Sequence, residues 1–412
     1  MNEVVVVGAG AAGLATAIFA RRLNPSRPVV LLDGAVKPGA KILVSGGSRC
    51  NVTNAIVTER DYWGGKRTII RRVLRALPVA ATVEFFQEAG VTLKEEPDGK
   101  LFPATDRSRD VLEALLRAAS EAGVVLSPST RVQEVTPASG GFSLQTSRGS
   151  RAAASVVLAT GGLSLPKTGS DGGGLAIARR LGHTLVSTTP ALAPLVADPG
   201  WFHAGISGVA HDVELTIWIG GRASERIRGA MLWTHFGVSG PVALNASRVV
   251  LRAQLEELEV RITANLFPPA TFEAVDARWT AAAATRPRTT VQNALAEELP
   301  ASLTAALLAR CSIDSGTTLT DLSRDARRTL SHTLTALPVP VTGSRGYNYA
   351  EATAGGVALE EIDPATMRSR KVAGLFLVGE MLDVDGRIGG FNFQWAWSSA
   401  RAAAEGLAHS SS

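Results

Sequence analysis

The chain has 412 residues, with 42 Lys and Arg against 37 Asp and Glu and a formal net charge of +5. That length exceeds one typical core and points to roughly two or three domains, and so diffuse a basic excess argues against nucleic acid as the default partner. Cys50 and Cys311 match no metal or redox spacing, and no run of about 20 apolar residues exists to cross a membrane, so neither a metal nor a membrane is expected and a reducing cytoplasm is the expected location.

The first element is Val4-Val5-Val6-Val7, followed by Gly8-Ala9-Gly10-Ala11-Ala12-Gly13 and a run of small residues; the next apolar run, Val29-Val30-Leu31-Leu32, ends in Asp33, twenty residues after Gly13. A strand, a G-x-G-x-x-G turn, a helix and an acid at that distance form a dinucleotide site. Gly8 permits the tight turn, Gly10 lets backbone approach a pyrophosphate, Gly13 lets the helix pack closely, and the helix N-terminus offers N–H groups to the phosphates with Ala12 beside them. Asp33 is placed to accept from a ribose hydroxyl. The apolar start is not a signal peptide: it carries Glu3, lacks a basic leader and is broken by spaced glycines.

Residues 34–54 are rich in Gly, Ser and Asn without hydrophobic period, and an irregular segment beside a nucleotide site is usually functional. Helical patterns follow at 67–89 and 108–122, the first carrying Lys66, Arg67, Arg71, Arg72 and Arg75 at helical spacing. Short strands are expected at 124–126, 131–135 and 142–146, then a buried strand within 154–162 that ends at Thr160 and Gly161, and a helix opening at Gly172-Gly173-Gly174. From about 190 the alternation of Val213, Leu215, Ile217 and Ile219, a Gly220-Gly221 turn and the run after it read as an antiparallel hairpin of a separate β unit. Residues 269–337 read as helical, broken at Pro287 and Pro300. Pro338-Val339-Pro340 is either a re-entry hinge or a broken edge strand. A second buried strand, 374–380, and a helix over 393–407 return to the opening style, and the tail from Ala408 through residues 410–412 reads as frayed.

The last strand and helix of the dinucleotide fold therefore come from the far C-terminus, the pattern of FAD enzymes of the glutathione-reductase type. The run 41–54, Thr234-His235-Phe236-Gly237-Val238-Ser239-Gly240-Pro241, Thr353-Ala354-Gly355-Gly356-Val357, and the run 379–396 with Gly389-Gly390-Phe391-Asn392 resemble, in order and over nearly the whole chain, the aminoacetone-oxidase-type, BaiN-like FAD-binding flavoproteins. The resemblance implies an α/β fold: a Rossmann-like FAD-binding domain (1–188 and 343–412) interrupted by a β-barrel-like domain (189–268 and 338–342) that carries a helical insert (269–337). It implies an FAD-dependent oxidoreductase and supplies no substrate. Ser48 departs from the family, where glycine is frequent.

Within that frame Gly8, Gly10, Ala12 and Gly13 are expected at the pyrophosphate, Asp33 at the ribose and backbone near Val132 at the adenine. Lys41 with Ser45, Gly46, Gly47, Arg49, Cys50 and Asn51 is expected along the ribityl chain and one flavin face. Thr160, Gly161, Gly379, Glu380 and Asp385 are expected to pass the cofactor. Gly389, Gly390, Phe391 and Asn392 open the final helix, whose N–H groups would face the N1/O2 edge of the flavin and stabilise negative charge there. Catalytic candidates are His235 as acid or base, Arg49 as a clamp and Asn392. Each keeps a structural alternative: His235 as a loop residue, Arg49 and Arg387 as loop-fixing donors, Cys50 as packing rather than a redox centre. Gly169-Ser170-Asp171-Gly172-Gly173-Gly174 follows no apolar strand directly and lacks a matching acid, so no dedicated NAD(P)H domain is expected, and NAD(P)H enters only as a transient electron donor. The expected reaction is hydride transfer at flavin N5 with a small molecule, by amine or amino-ketone oxidation or by reduction of an activated C=C bond. An RNA-modifying flavoprotein and a non-catalytic FAD-binding redox sensor are the competing readings. Oligomeric state is not legible.

Overall fold

The computed structural model describes residues 2–409, so the serines of the expected frayed tail lie outside the described residues, while Ala408 ends a helix. Two compact units are formed, Met1–Pro190 with Tyr347–Ser412, and Ala191–Gly346.

In the first unit, Leu375–Leu377, Ser155–Leu158, Val4–Val7, Val29–Leu32 and Val125–Ser127 lie side by side in that order as a parallel sheet. Every residue of the first four of these strands is buried, which is why they read as continuous apolar runs rather than as alternating ones. The helices Ala11–Leu23 and Phe391–Ala408 pack on each other, so the two ends of the chain share one core. An antiparallel meander of Val132–Ala138, Gly141–Thr146 and Gly149–Ala153 follows the fifth strand of the sheet in sequence. Its third strand carries no β signature in Gly149-Ser150-Arg151-Ala152-Ala153 and forms because its partner offers an unpaired edge.

Two local expectations change. The pattern over 67–89 is two helices, Arg67–Leu74 and Val79–Glu88, because Pro78 takes an extended ψ and caps the second. The stretch expected to be irregular begins with a helical turn: Ala40–Ser48 is helical until Ser45 (ψ 149°), after which Gly46 and Gly47 turn left-handed. One turn with a single buried apolar residue, Ile42, is too short to show a period.

The second unit is a seven-stranded antiparallel sheet ordered Leu337–Val339, Val260–Asn265, Ala210–Ile219, Arg222–Thr234, Gly237–Ser239, Leu195–Ala197 and Val341–Ser344. Its two outermost strands are consecutive in the chain and meet at Pro340, so the chain itself joins the two edges of the sheet. Pro338 sits on an edge strand, where its missing N–H leaves no ladder bond unmade. Helices Phe272–Thr285, Val291–Ala296, Ala301–Arg310 and Arg324–Ala336 share the core of this sheet: Trp279, Leu303, Leu307, Leu330 and Leu334 join Val213, Leu215 and Ile217 in one buried cluster. Thr271, Thr290 and Ser323 accept backbone N–H bonds and start three of the four helices.

Candidate functional site

The carboxyl ends of the parallel strands in the first unit carry the fingerprint. Gly8 has φ +100°, and a Cβ there would stand 2.6 Å from the Ala159 carbonyl oxygen, so the turn tolerates only glycine. A Cβ on Gly13 would overlap the Gly8 carbonyl oxygen, which fixes the distance between helix and strand. Gly10 differs from both: it caps the helix Ala11–Leu23 without a side-chain bond, and a Cβ would meet nothing within 4 Å. Two glycines are required by the protein's own packing. The third leaves space in front of uncapped N–H groups, where a pyrophosphate fits.

Asp33 accepts from Ala9 N–H at 2.6 Å and from Ala35 N–H at 2.7 Å. The carboxylate thus fixes the turn that carries the fingerprint, and each oxygen keeps a lone pair for a ribose hydroxyl. Asp33 also exchanges backbone bonds with Ser127 and Thr130, which brings it beside the start of the strand that begins at Val132. The Val132 side chain itself is core. Thr160 Oγ1 is buried with no partner, and Gly161 (φ +72°) is held against Ser170.

The loop 45–51 is a run of left-handed residues: Gly46, Gly47, Ser48 (φ +67°) and Cys50 (φ +62°). Ser48 occupies a conformation that glycine adopts without cost. A Cβ on Gly47 meets nothing, and Asn51 Oδ1 is buried without a partner. An orphaned acceptor beside an open glycine face fits a bound polar group such as the flavin's ribityl chain. Cys50 is fully buried, and burial pushes its thiol up to about 12, against the pull of a hydrogen bond with Ser45. A thiol protonated at neutral pH is a packing group, not a redox centre.

Arg49 is bonded within the protein. Its guanidinium bonds Glu96 at 2.8 Å and Asp106 at 3.3 Å and lies over the Phe102 ring at 4.0 Å. Those partners, the Glu96 hydrogen bond first, hold it above the ordinary arginine range, and it fixes the loop. Asn392 is likewise committed: Gly386 N–H donates to its Oδ1 at 2.8 Å, and its Nδ2 donates to Gly386 O at 3.0 Å. Both side chains hold the local backbone or loop in place. Arg387 pairs with Asp61 at 3.0 Å and covers the Phe391 ring. Asp385 is buried on the strand Val384–Gly386, which pairs with Tyr62–Gly64.

The run 50–54 docks directly on the start of the last helix. A Cβ on Gly390 would overlap the Thr53 carbonyl oxygen; Thr53 Oγ1 donates to Gln394 Oε1 at 2.6 Å, Asn54 Nδ2 to Gly389 O at 3.2 Å, and Trp397 Nε1 to Val52 O at 2.9 Å. Gly390 caps Phe391–Ala408 with no side-chain bond, which leaves the N–H groups of the first turn for a ligand.

Lys41 and Glu380 are brought to each other. Lys41 Nζ bonds the Glu380 carboxylate and Ser164 Oγ, and Ser164 Oγ donates to Glu380 Oε1 at 2.6 Å. Ser164, Thr353 and Glu351 complete this cluster and were not singled out as site residues in the sequence; only the Thr353-Gly355-Gly356 motif marked the neighbourhood. A Cβ on Gly379 would stand 2.8 Å from the Ala12 Cβ, so the cluster adjoins the fingerprint helix.

His235 lies in the second unit, exposed at the turn between Arg222–Thr234 and Gly237–Ser239, with its ring edge-on to Phe236 and Arg345 over the other ring. Gly169 to Gly172 precede the helix Gly173–Arg180 as a loop, with Asp171 bonding Arg131 and Gly173 N–H.

A parallel sheet, a dinucleotide fingerprint at its carboxyl ends and a second uncapped helix start beside a glycine loop define a Rossmann-type flavoprotein. The chain belongs to the family described as HI0933-like protein Rossmann domain, whose model matches residues 2–406. It is 32% identical over 413 residues to a 3-dehydro-bile acid delta(4,6)-reductase of Clostridium scindens (98% of this chain, 100% of that one) and 32% identical over 407 residues to a ribosomal RNA dihydrouridine synthase of Escherichia coli (98% of each). Among solved structures, a quinol-fumarate reductase with menaquinol molecules matches with TM-score 0.51 at 16% identity over 99% of this chain and 70% of its own, and an E. coli quinol fumarate reductase FrdA variant with TM-score 0.50 at 15% over 99% and 71%. These two show the shared fold. The protein is an oxidoreductase of the flavin-dependent type.

Gly10→Val is expected to fold, at a cost of about 1 kcal/mol as a poorer helix cap, and to retain no FAD, whereas Gly13→Ala loses about 1–3 kcal/mol by overpacking. Flavin absorbance after gel filtration, read with thermal unfolding, separates the two. Native protein treated with iodoacetamide at neutral pH should carry no label on Cys50 by peptide mass, and Cys50→Ser should keep its flavin; labelling of Cys50 without denaturant would contradict a buried, protonated thiol.

Proposed function

We propose that this protein is an FAD-dependent reductase of carbon–carbon double bonds conjugated to a carbonyl group. One observation carries the reading. The two relatives, equally similar over their whole lengths, are named for reactions that share a single chemical step: a delta(4,6)-reductase of a 3-oxo steroid and a dihydrouridine synthase both saturate a C=C bond activated by a neighbouring carbonyl.

Gly8, Gly10 and Gly13 with the uncapped helix start would hold the pyrophosphate, Asp33 the ribose, and the 45–51 loop with Asn51 the ribityl chain. The chemistry such a site would gain from FAD is hydride donation from N5, with NAD(P)H as the proposed source of electrons. The first turn of Phe391–Ala408, uncapped by any side chain, would direct backbone N–H groups and the positive end of the helix dipole at the flavin edge where negative charge develops. Trp395 and Trp397, both buried, keep this helix start in place through bonds to Gly379 O and Val52 O. Within this reading Arg49 and Asn392 are positioning residues.

A small unsaturated ketone is the simplest substrate. A uracil base within RNA is the second reading, favoured by the helix Arg67–Leu74 and its flanks: Lys66, Arg67, Arg72 and Arg75 have no ion-pair partner among the described residues, and only Arg71 meets an acid, Glu59 at 3.8 Å. Such a face suits phosphates.

Anaerobic mixing with NADPH should bleach the flavin, and a conjugated enone should restore its colour without air. A uridine-containing RNA that restores it faster would select the second reading. Reduced protein that only oxygen reoxidises would defeat both.

A further inference from the structure

Two helices of the first unit, Ala11–Leu23 and Phe391–Ala408, start without a side-chain cap, and one short segment is tied to both of them. Gly379 N–H donates to Ser399 Oγ at 3.0 Å and Trp395 Nε1 donates to Gly379 O at 3.1 Å, which fixes Gly379 against the last helix. A Cβ on Gly379 would stand 2.8 Å from the Ala12 Cβ, so the same residue lies against the first turn of the fingerprint helix. Glu380 follows it directly. A cofactor with its pyrophosphate at one helix start and its flavin edge at the other therefore passes the segment that carries Glu380.

A charged cluster is built at that place. Lys41 Nζ bonds the Glu380 carboxylate and donates to Ser164 Oγ at 2.5 Å, and Ser164 Oγ donates to Glu380 Oε1 at 2.6 Å. Ser164 is buried, and the Lys41 and Glu380 side chains keep only 23% and 17% of their surface. Thr353 Oγ1 accepts from Leu163 N–H at 2.8 Å and Ser164 N–H at 3.0 Å, which fixes the loop that carries Ser164. The ammonium is thus held in one place by two partners that are themselves held. One of its three N–H groups has no protein acceptor among the described residues. Partial burial matters here, because such a charge is screened by water and salt much less than an exposed one. The other cations that the sequence places near the cofactor are bonded elsewhere, Arg49 to Glu96 and Asp106 and Arg387 to Asp61.

We propose that Lys41 is the fixed charge that sets the reduction potential of the bound flavin, with Ser164 and Glu380 as the residues that position it and Glu380 as the counter-charge that limits it. This rests on the FAD placement proposed above. A hydride from NAD(P)H brings two electrons and one proton, so it adds one negative charge to the site and leaves the nicotinamide oxidised. Lys41 favours that charge by Coulomb attraction, and Glu380 opposes it. Opposite contributions suit a reductase of conjugated double bonds. The lysine alone would make electrons easy to accept and hard to pass on to the substrate, and the glutamate returns part of that gain. The two residues therefore act on the potential with opposite sign, although they are bonded to each other and brace the same loop.

The test uses full-length holoenzyme carrying Lys41→Met, Lys41→Arg, Glu380→Gln or Arg387→Ala, titrated anaerobically with dithionite against a dye of known potential, so no substrate is needed. Lys41→Met should disfavour the reduced flavin about tenfold or more, a fall of about 30 mV for a two-electron couple, and Glu380→Gln should favour it to a similar extent. Lys41→Arg, which keeps the charge, should stay near wild type. Sulfite gives a second readout, because it adds to oxidised flavin as an anion and bleaches the visible band. Its binding should weaken in Lys41→Met and tighten in Glu380→Gln. A pair that merely braced the fold would move both variants in the same direction or move neither. If Lys41→Met releases its flavin, the rise in potential and the tighter sulfite binding of Glu380→Gln decide. Potentials that stay put or shift together in the two variants, or a shift confined to Arg387→Ala, would overturn the proposal and leave the cofactor reading standing. Release of flavin by both variants would overturn it as well, since the pair would then be a binding element alone. Wild-type protein that takes up no FAD would defeat the cofactor reading, and this proposal with it.

Discussion

The close approach of Thr53 and Gly390 is the constraint on which the candidate site depends. A peptide carbonyl occupies the space of a missing Cβ, and around that contact Thr53 meets Gln394, Asn54 meets Gly389, and Val52 meets Trp397. Each bond joins positions more than three hundred residues apart. Because the partners are buried, an unmade bond would leave a desolvated donor or acceptor, so the closure is specific and not merely adhesive. The glycine loop at 45–51 and the uncapped start of the last helix are thereby held in one place, each part of the proposed cofactor site that neither segment contains alone.

Electrostatics in the same unit follow the sheet. The strands end in Gly8, in Thr160 to Ser164, and in Gly379 and Glu380, so their carboxyl ends deliver an anion-binding turn on one side and a Lys41–Ser164–Glu380 network on the other. Arg49 shows how a side chain inside the loop can be committed to protein partners. It lies inside the loop expected to touch flavin, yet Glu96, Asp106 and Phe102 offer two charged bonds and a ring face in the opposite direction, and a planar guanidinium uses all three. Asn392 is drawn away similarly, since the amide matches both the N–H and the C=O of Gly386.

Much of the first unit was legible because its signals are local and periodic. Gly8, Gly10 and Gly13 follow a β-branched run at fixed spacing, and four buried strands read as unbroken apolar stretches. The hairpin of the second unit was visible in the alternation at Val213, Leu215 and Ile217, and its helices in their proline breaks. What escaped had no local signature. Gly149 to Ala153 is a strand only because Gly141–Thr146 offers an edge, and Ala40 to Val44 form one turn, shorter than any period. Ser164 is an ordinary residue in sequence, and its bonds to Lys41 and Glu380 come from what surrounds it.

By itself, then, the sequence determined the nucleotide fingerprint, the interrupted order of the first unit and the family, because strand runs, glycine spacing and motif order are properties of the chain as a line. Tertiary structure alone decided which polar groups are already satisfied and which are left over. It bound Arg49 and Asn392 to protein partners, buried Cys50, paired Lys41 with Glu380, and left Asn51 Oδ1 buried without a partner. Hydrogen-bond and charge partners are chosen across hundreds of residues by burial and geometry, and a buried polar group's role is set by the partner it finds.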